Sequence, residues 1–182
     1  RNLQMVFQDS DSAVNPRMTV EQIVEEPLLI QRLCPRGKRR EKAAQLLLQA
    51  GLDASFLNRY PAELSGGQRQ RVCIARALAT SPKLLIADEP IASLDVSIGA
   101  QIAALFRSLC REHGMSCLMI AHDLELVRSL CDRIGVMYRG KLVELAPAEE
   151  LYSSPRHPYT QALLSAVPVP DPDIPQEFQE YH

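Results

Sequence analysis

Apolar residues recur along this chain with two different periods, and the change from one to the other divides it. From Thr19 the spacing is helical. Val20, Ile23, Val24 and Leu28 fall on one face, and Thr19 followed three residues on by Gln22 has the form of a capping box. Pro27 is expected to kink or end that helix. After the basic turn Pro35-Arg36-Gly37-Lys38-Arg39-Arg40, a second stripe of Ala43, Leu46, Leu47 and Ala50 is closed by Gly51 as a C-terminal cap. A third helix is predicted from about Gly67 to Thr80, with Val72, Ala75, Leu78 and Ala79 inward. The period then shortens. Leu84-Leu85-Ile86-Ala87 is a continuous apolar run between Pro82 and two acids, the pattern of a strand buried on both faces.

Beyond it the pattern predicts a helix over residues 96–112 stopped by Gly114, a second buried strand over 116–121 and a short helix over 124–130. Residues 134–138 and 142–145 flank Arg139-Gly140-Lys141 as a hairpin, and helices follow over 147–152 and 159–167. From Pro168, four prolines in eight residues predict extended chain. Strand, helix and strand between 84 and 121 imply an α/β fold with an open sheet, parallel at its centre. The first eighty residues are almost all helical. The expected division is 1–8 as the end of a core segment, 9–80 as a helical subdomain, 81–167 as an α/β core portion and 168–182 as a tail.

Composition narrows the possibilities. Twenty Lys and Arg against 22 Asp and Glu leave a net charge of −2, which argues against a dedicated nucleic-acid binder. No apolar run approaches the roughly 18 residues of a membrane span. The chain opens at Arg1 without a Met or a charged-then-apolar leader and reads as a segment of something longer. Cys34, Cys73, Cys110, Cys117 and Cys131 are odd in number and include no CxxC pair, so buried, reduced thiols are expected. Cys110, His113, Cys117 and His122 superficially resemble a zinc set, but they fall on a helix and a strand with no knuckle turn between them.

The residues suited to chemistry stand at element ends. Ser65-Gly66-Gly67-Gln68 immediately precedes a helix. Its glycines admit close backbone approach, and the helix directs amide N–H groups and a positive dipole end outward, a setting for phosphate. A plain Ser N-cap with a glycine turn would explain the same residues. The apolar run at 84–87 ends in Asp88-Glu89-Pro90, and ligands collect at the carboxyl edge of a parallel sheet. There Asp88 is placed to hold Mg²⁺ and Glu89 to polarise a water for attack on a phosphoryl group. A second strand runs out into Ile120-Ala121-His122-Asp123, and His122 would be within reach of those acids if the strands are neighbours. Near the start, Met5-Val6-Phe7 runs into Gln8, an amide able to touch Mg²⁺ or the attacking water.

In this order, Phe7-Gln8-Asp9, Leu64-Ser65-Gly66-Gly67-Gln68-Arg69-Gln70-Arg71, Leu85-Ile86-Ala87-Asp88-Glu89-Pro90, Ser93-Leu94-Asp95 and Ile120-Ala121-His122-Asp123 resemble the Q-loop, signature, Walker B, D-loop and H-loop of ABC transporter ATP-binding subunits. The resemblance implies a P-loop NTPase-like (RecA-like) core, incomplete at its N-terminus, with ATP and Mg²⁺ as cofactors. It implies Asp88 and Gln8 at the metal, Glu89 as catalytic base and His122 on the γ-phosphate. Ser65, Gly66, Gly67 and Gln68 would bind nucleotide held by an opposite subunit, with Asp95 at the dimer junction. Ala13-Val14-Asn15-Pro16-Arg17 and Arg156-His157-Pro158-Tyr159-Thr160-Gln161-Ala162-Leu163-Leu164 are similar to the dipeptide, oligopeptide and nickel importers. The partners so implied are a second ATPase subunit, transmembrane permease subunits and, indirectly, a substrate-binding protein, at the cytoplasmic face of the membrane and without nucleic acid. A soluble ATPase of the same superfamily, acting in DNA repair or translation, is the alternative.

A P-loop ATPase needs G-x4-G-K-[ST]. The near match from Gly135 to Leu142 ends in Leu rather than a hydroxyl residue and falls in the predicted hairpin. The cradle is expected upstream of Arg1, with its strand beside the one ending at Asp88, and the 182 residues alone are expected to be inactive.

Overall fold

A computed structural model of the chain describes residues 2–166. Their contacts form two compact units that meet in sequence between Ala121 and His122. In the first unit, the Thr19 hydroxyl accepts the Gln22 amide at 3.4 Å and the Gln22 side chain accepts the Thr19 amide at 2.9 Å. This box starts α1 (Val20–Ile30), whose Val20, Ile23, Val24 and Leu28 are all buried. Pro27 lies inside α1 without ending it. An interior proline costs about 3 kcal/mol. Burial of Leu28, worth about 1.5–3 kcal/mol, offsets that, and the chain end is tied down by Leu33 N–H on the Leu28 carbonyl at 3.0 Å.

The second apolar stripe forms α2 (Arg39–Gln49), with Ala43, Leu46 and Leu47 buried. Gly51 follows at φ +77°, the left-handed conformation that turns a chain out of a helix. There the Arg71 guanidinium donates to the Ala50 carbonyl at 2.9 Å, a cation at the negative end of the helix dipole. Arg71 projects from α3 (Gly66–Leu78), which begins one residue earlier and ends two earlier than its stripe predicts.

Three parallel strands make the sheet of this unit: β1 (Leu3–Val6), β2 (Leu84–Asp88) and β3 (Ser116–Ile120), in that spatial order. Between β2 and β3 runs α4 (Val96–His113), stopped by Gly114 in the left-handed conformation. Register is even: Leu3 pairs with Leu84, which pairs with Ser116, and Val6 with Ala87, which pairs with Met119. Side chains alternate between faces. Val6, Leu85 and Ala87 point into a core shared with all four helices. The other face carries Leu3, Leu118 and Ile120, which are 51, 54 and 47 % exposed. The two strands expected to be buried on both faces are therefore not. β2 is half-covered on one side and β3 is an exposed edge among the described residues, because the helices cover the Leu85 face. Both edges of β2 are taken by β1 and β3, so no further strand fits beside the one ending at Asp88. That placement of an upstream strand is overturned.

Among the cysteines, Cys73 is buried, and burial pushes its thiol up to about 11. Cys117, expected to be buried, is exposed on β3. No helix among the described residues is long and apolar enough to cross a membrane.

The second unit contains α5 (Leu124–Leu130), the antiparallel hairpin β4 (Arg133–Tyr138) and β5 (Lys141–Pro147), α6 (Ala148–Ser153) and α7 (Pro158–Ser165). The hairpin turn has both Arg139 and Gly140 at positive φ, as a tight two-residue connection requires. The near match to a phosphate loop is thus antiparallel sheet. Ile134, Val136, Ala148 and Leu151 form a small core. Glu144 of β5 accepts the backbone amides of Arg156 at 2.9 Å and His157 at 3.0 Å, just before α7. Burial pushes the Glu144 carboxyl up, but the Thr160 hydroxyl and those two amides pull harder, so it sits below its ordinary value of 4.5. The extended tail expected from Pro168 lies outside the described residues.

Two outcomes follow from these contacts. Gly51→Ala combines a left-handed backbone with a methyl falling on Arg71 Nη1, and should lower unfolding free energy in urea by about 1–3 kcal/mol. Glu144 has a depressed native pKa, so its contribution is full above pH 4.5 and fades as pH falls through the native value. Glu144→Gln should cost about 1–2 kcal/mol at pH 7, and the difference from the parent should shrink in urea titrations below pH 4.5.

Candidate functional site

Parallel strands in even register end level, and their following residues emerge at one edge. β1 ends at Val6, opposite Ala87, so Gln8 and Glu89 leave the sheet together. The Gln8 side-chain amide donates to Glu89 Oε2 at 2.8 Å. Asp88 is the last residue of β2 and pairs with Ile120. Glu89 then turns sharply at φ +42°, and its own N–H donates to the Ile120 carbonyl at 2.9 Å. A left-handed glutamate costs about 1–2 kcal/mol, and such strain collects where a side chain must be aimed.

From Glu89 the chain winds through two tight turns, Ala92 N–H to the Glu89 carbonyl and Leu94 N–H to that of Ile91. Asp95 then caps α4 by accepting the Ile98 amide at 3.0 Å. Asp95 therefore has a local structural task whatever else it touches.

Ser65 starts α3 with a second capping box. Its hydroxyl accepts the Gln68 amide at 3.3 Å, and the Gln68 side chain accepts the Ser65 amide at 2.9 Å. Of the four amides that a helix start leaves without helical acceptors, the box satisfies the first and last. Those of Gly66 and Gly67 remain for an acceptor from outside the helix, with the dipole behind them. The glycines also let α3 approach the start of α4. A Cβ on Gly67 would lie 2.5 Å from Ile98 Cγ2, and one on Gly66 3.4 Å from Leu94 Cδ2. The Ser65 turn is thus packed on the Leu94-Asp95 turn.

The first unit therefore brings Gln8, Asp88 and Glu89 to one sheet edge and seats Ser65, Gly66, Gly67 and Gln68 against the residues flanking Asp95. β2 and β3 are neighbours. His122 itself is exposed and opens the second unit, one residue before Asp123 caps α5 through the Leu126 amide at 3.0 Å. Among the described residues, no three His, Cys, Asp or Glu side chains converge as a metal cage. Hard oxygen donors on Asp88 and Glu89 with the Gln8 amide suit Mg²⁺, which takes one or two carboxylates plus phosphate oxygens rather than an all-protein cage.

The contacts that hold the loop after Gln8 have no local signature in the sequence. Asp9 Oδ1 accepts the Asp11 amide at 2.9 Å; that bond and those from Ser12 hold the Asp9 carboxyl below its usual range. Asp11 pairs with Arg69, and Arg76 donates to the Ala13 carbonyl at 2.8 Å. Opposite charges on loop and helix were the available signal, but 58 residues separate the pair.

A family model described as "ABC transporter" matches residues 1–92, and another described as "Oligopeptide/dipeptide transporter, C-terminal region" matches 143–180. The chain is 57 % identical over 174 residues to the oligopeptide transport ATP-binding protein OppF of Bacillus subtilis (strain 168), covering 95 % of this chain and 57 % of that protein. It thus spans little more than half the length of that relative. A dimeric structure of a post-hydrolysis state of the ATP-binding cassette MJ0796, bound to ADP and Pi, superposes with a TM-score of 0.69 at 33 % identity, covering 81 % of this chain and 64 % of that one. CbiO1 of Clostridium perfringens, part of the ABC transporter complex cbiONQ, gives 0.75 at 28 % identity, covering 84 % and 60 %.

Gly67→Ala should cost about 1–3 kcal/mol in urea unfolding through its clash with Ile98. Ile98→Ala in the same chain should recover part of that loss, a non-additivity expected of side chains in direct contact.

Proposed function

The chain belongs to the ABC transporter family, and from that premise we propose that it is the larger part of an ATP-binding subunit whose ATP hydrolysis drives import of peptides. The observation that carries the proposal is the hydrogen bond between Gln8 and Glu89 at the carboxyl edge of a parallel sheet, one residue beyond Asp88. That edge collects the groups phosphoryl transfer to water requires: a carboxylate for a hard cation, a second carboxylate for a proton and an amide to orient a water.

Asp88 and the Gln8 amide are the groups that would hold Mg²⁺. Bound Mg²⁺ and the nucleotide supply charge neutralisation and a phosphoryl group open to in-line attack. Glu89 takes the proton of the attacking water at a carboxylate oxygen. Its left-handed backbone and the amide of Gln8 fix where that oxygen sits. His122 donates a hydrogen bond to the γ-phosphate. The amides of Gly66 and Gly67, with Ser65 and Gln68, receive the γ-phosphate of nucleotide held by a second subunit, and Asp95 lies at that junction. The phosphate loop itself is absent from these 182 residues, so the nucleotide is held mainly by upstream residues of the full-length protein.

Differential affinity of the closed and open pairs for nucleotide converts turnover into movement of permease subunits at the membrane. Peptide as cargo is supported by the identity with OppF and by the match of residues 143–180 to an oligopeptide and dipeptide transporter region. The relation to CbiO1, itself part of a transporter complex, supports a permease as partner.

In the full-length subunit, Glu89→Gln should lower steady-state ATP hydrolysis by about a thousandfold, the scale of a lost general base, while nucleotide-dependent dimerisation in size-exclusion chromatography persists. Turnover equal to the parent would remove Glu89 from the mechanism.

A further inference from the structure

The side chain that ties the two halves of the first unit's site together is Arg69, and nothing in the proposed chemistry uses it. Its guanidinium reaches two segments at once. Nη1 donates to the Leu64 carbonyl at 2.6 Å and to that of Pro61 at 3.3 Å, bracing the turn that leads into Ser65. On its other side, Nε lies against Asp11 Oδ1 as an ionic contact, and Nη2 donates to Asp11 Oδ2 at 3.5 Å. Asp11 is in the short loop that leaves Gln8, and the Asp9 side chain pins that loop by accepting the Asp11 amide. Lower on the same helix, Arg76 donates to the Ala13 carbonyl. The path is continuous: Glu89 to Gln8, through the Asp9 turn to Asp11, across to Arg69 and on to Leu64 and Ser65.

We propose that the Asp11–Arg69 ion pair is a positioning link that makes the Gln8 loop and the Ser65 turn move as one body. The proposal rests on the ATPase reading of these residues. Arg69 and Asp11 touch no reacting atom and act through Gln8 and Ser65. Asp11 is 66 % exposed on its side chain. Such a pair adds little to stability and is weakened by salt, so a change in turnover on breaking it reports position rather than unfolding.

The test compares full-length parent, Asp11→Ala and Asp11→Glu. Asp11→Ala should lower kcat for ATP about two- to fivefold, the ceiling that an exposed ion pair sets. KM and single-subunit ATP affinity should not move, the melting temperature should shift little, and Asp11→Glu should regain most of the rate. High salt should depress the parent toward Asp11→Ala and leave that variant unmoved. Unchanged kcat in Asp11→Ala, or ATP affinity falling together with kcat, overturns the link. A parent without ATPase activity would count against the functional reading instead. Amide hydrogen exchange then decides the link: in Asp11→Ala, residues 9–13 and 62–69 should speed up together, and faster exchange confined to 9–13 overturns it.

Discussion

Everything at the carboxyl edge of the sheet depends on three parallel strands ending level. Main-chain hydrogen bonding in even register leaves no freedom to slide by one residue, because a single slip would carry Leu85 and Ala87 out of the core and expose them. The register therefore decides more than the sheet. It determines that residues 81 positions apart, Gln8 and Glu89, are within one hydrogen bond of each other. Burial of a few aliphatic side chains, which has no chemistry of its own, sets the placement of the groups that do.

Around that edge the backbone is held in conformations it would not choose alone. Glu89 is left-handed, and the N–H that this turn redirects is taken up by the carbonyl of Ile120 on the adjacent strand. Gly67 presses against Ile98 so closely that no side chain fits between them. Both features stiffen the turns that follow β2 and precede α3. A site that handles a small, highly charged ligand benefits from donors already in place, since little reorganisation is then needed when charge develops.

Local devices were legible in the sequence and long-range ones were not. Thr19 with Gln22, Ser65 as an N-cap, and Gly51 and Gly114 as helix stops depend on residues within one turn of each other, and each is found where the pattern placed it. The hairpin around Arg139-Gly140 is of the same kind. The continuity of α1 through Pro27 was not legible, because it is decided by the burial of Leu28 in a core assembled from distant segments. The exposure of β3 was missed for a related reason: a run such as Cys117-Leu118-Met119 records the hydrophobicity of a strand, whereas its burial depends on what lies over it. The sheet-edge acids were found from their position after an apolar run, but the guanidinium that braces the neighbouring turn spans segments with no periodic relation.

The buried thiol of Cys73 has a use beyond packing. With its ionisation pushed up to about 11, it carries almost no thiolate near neutral pH and is sheltered inside the first unit, while Cys117 stands in solvent. Alkylating reagents would then reach the exposed sulfur in the folded chain, while alkylation of the inner one waits on the opening of the helical core around α3. The protein thereby contains its own gauge of breathing, readable by mass without any engineered label.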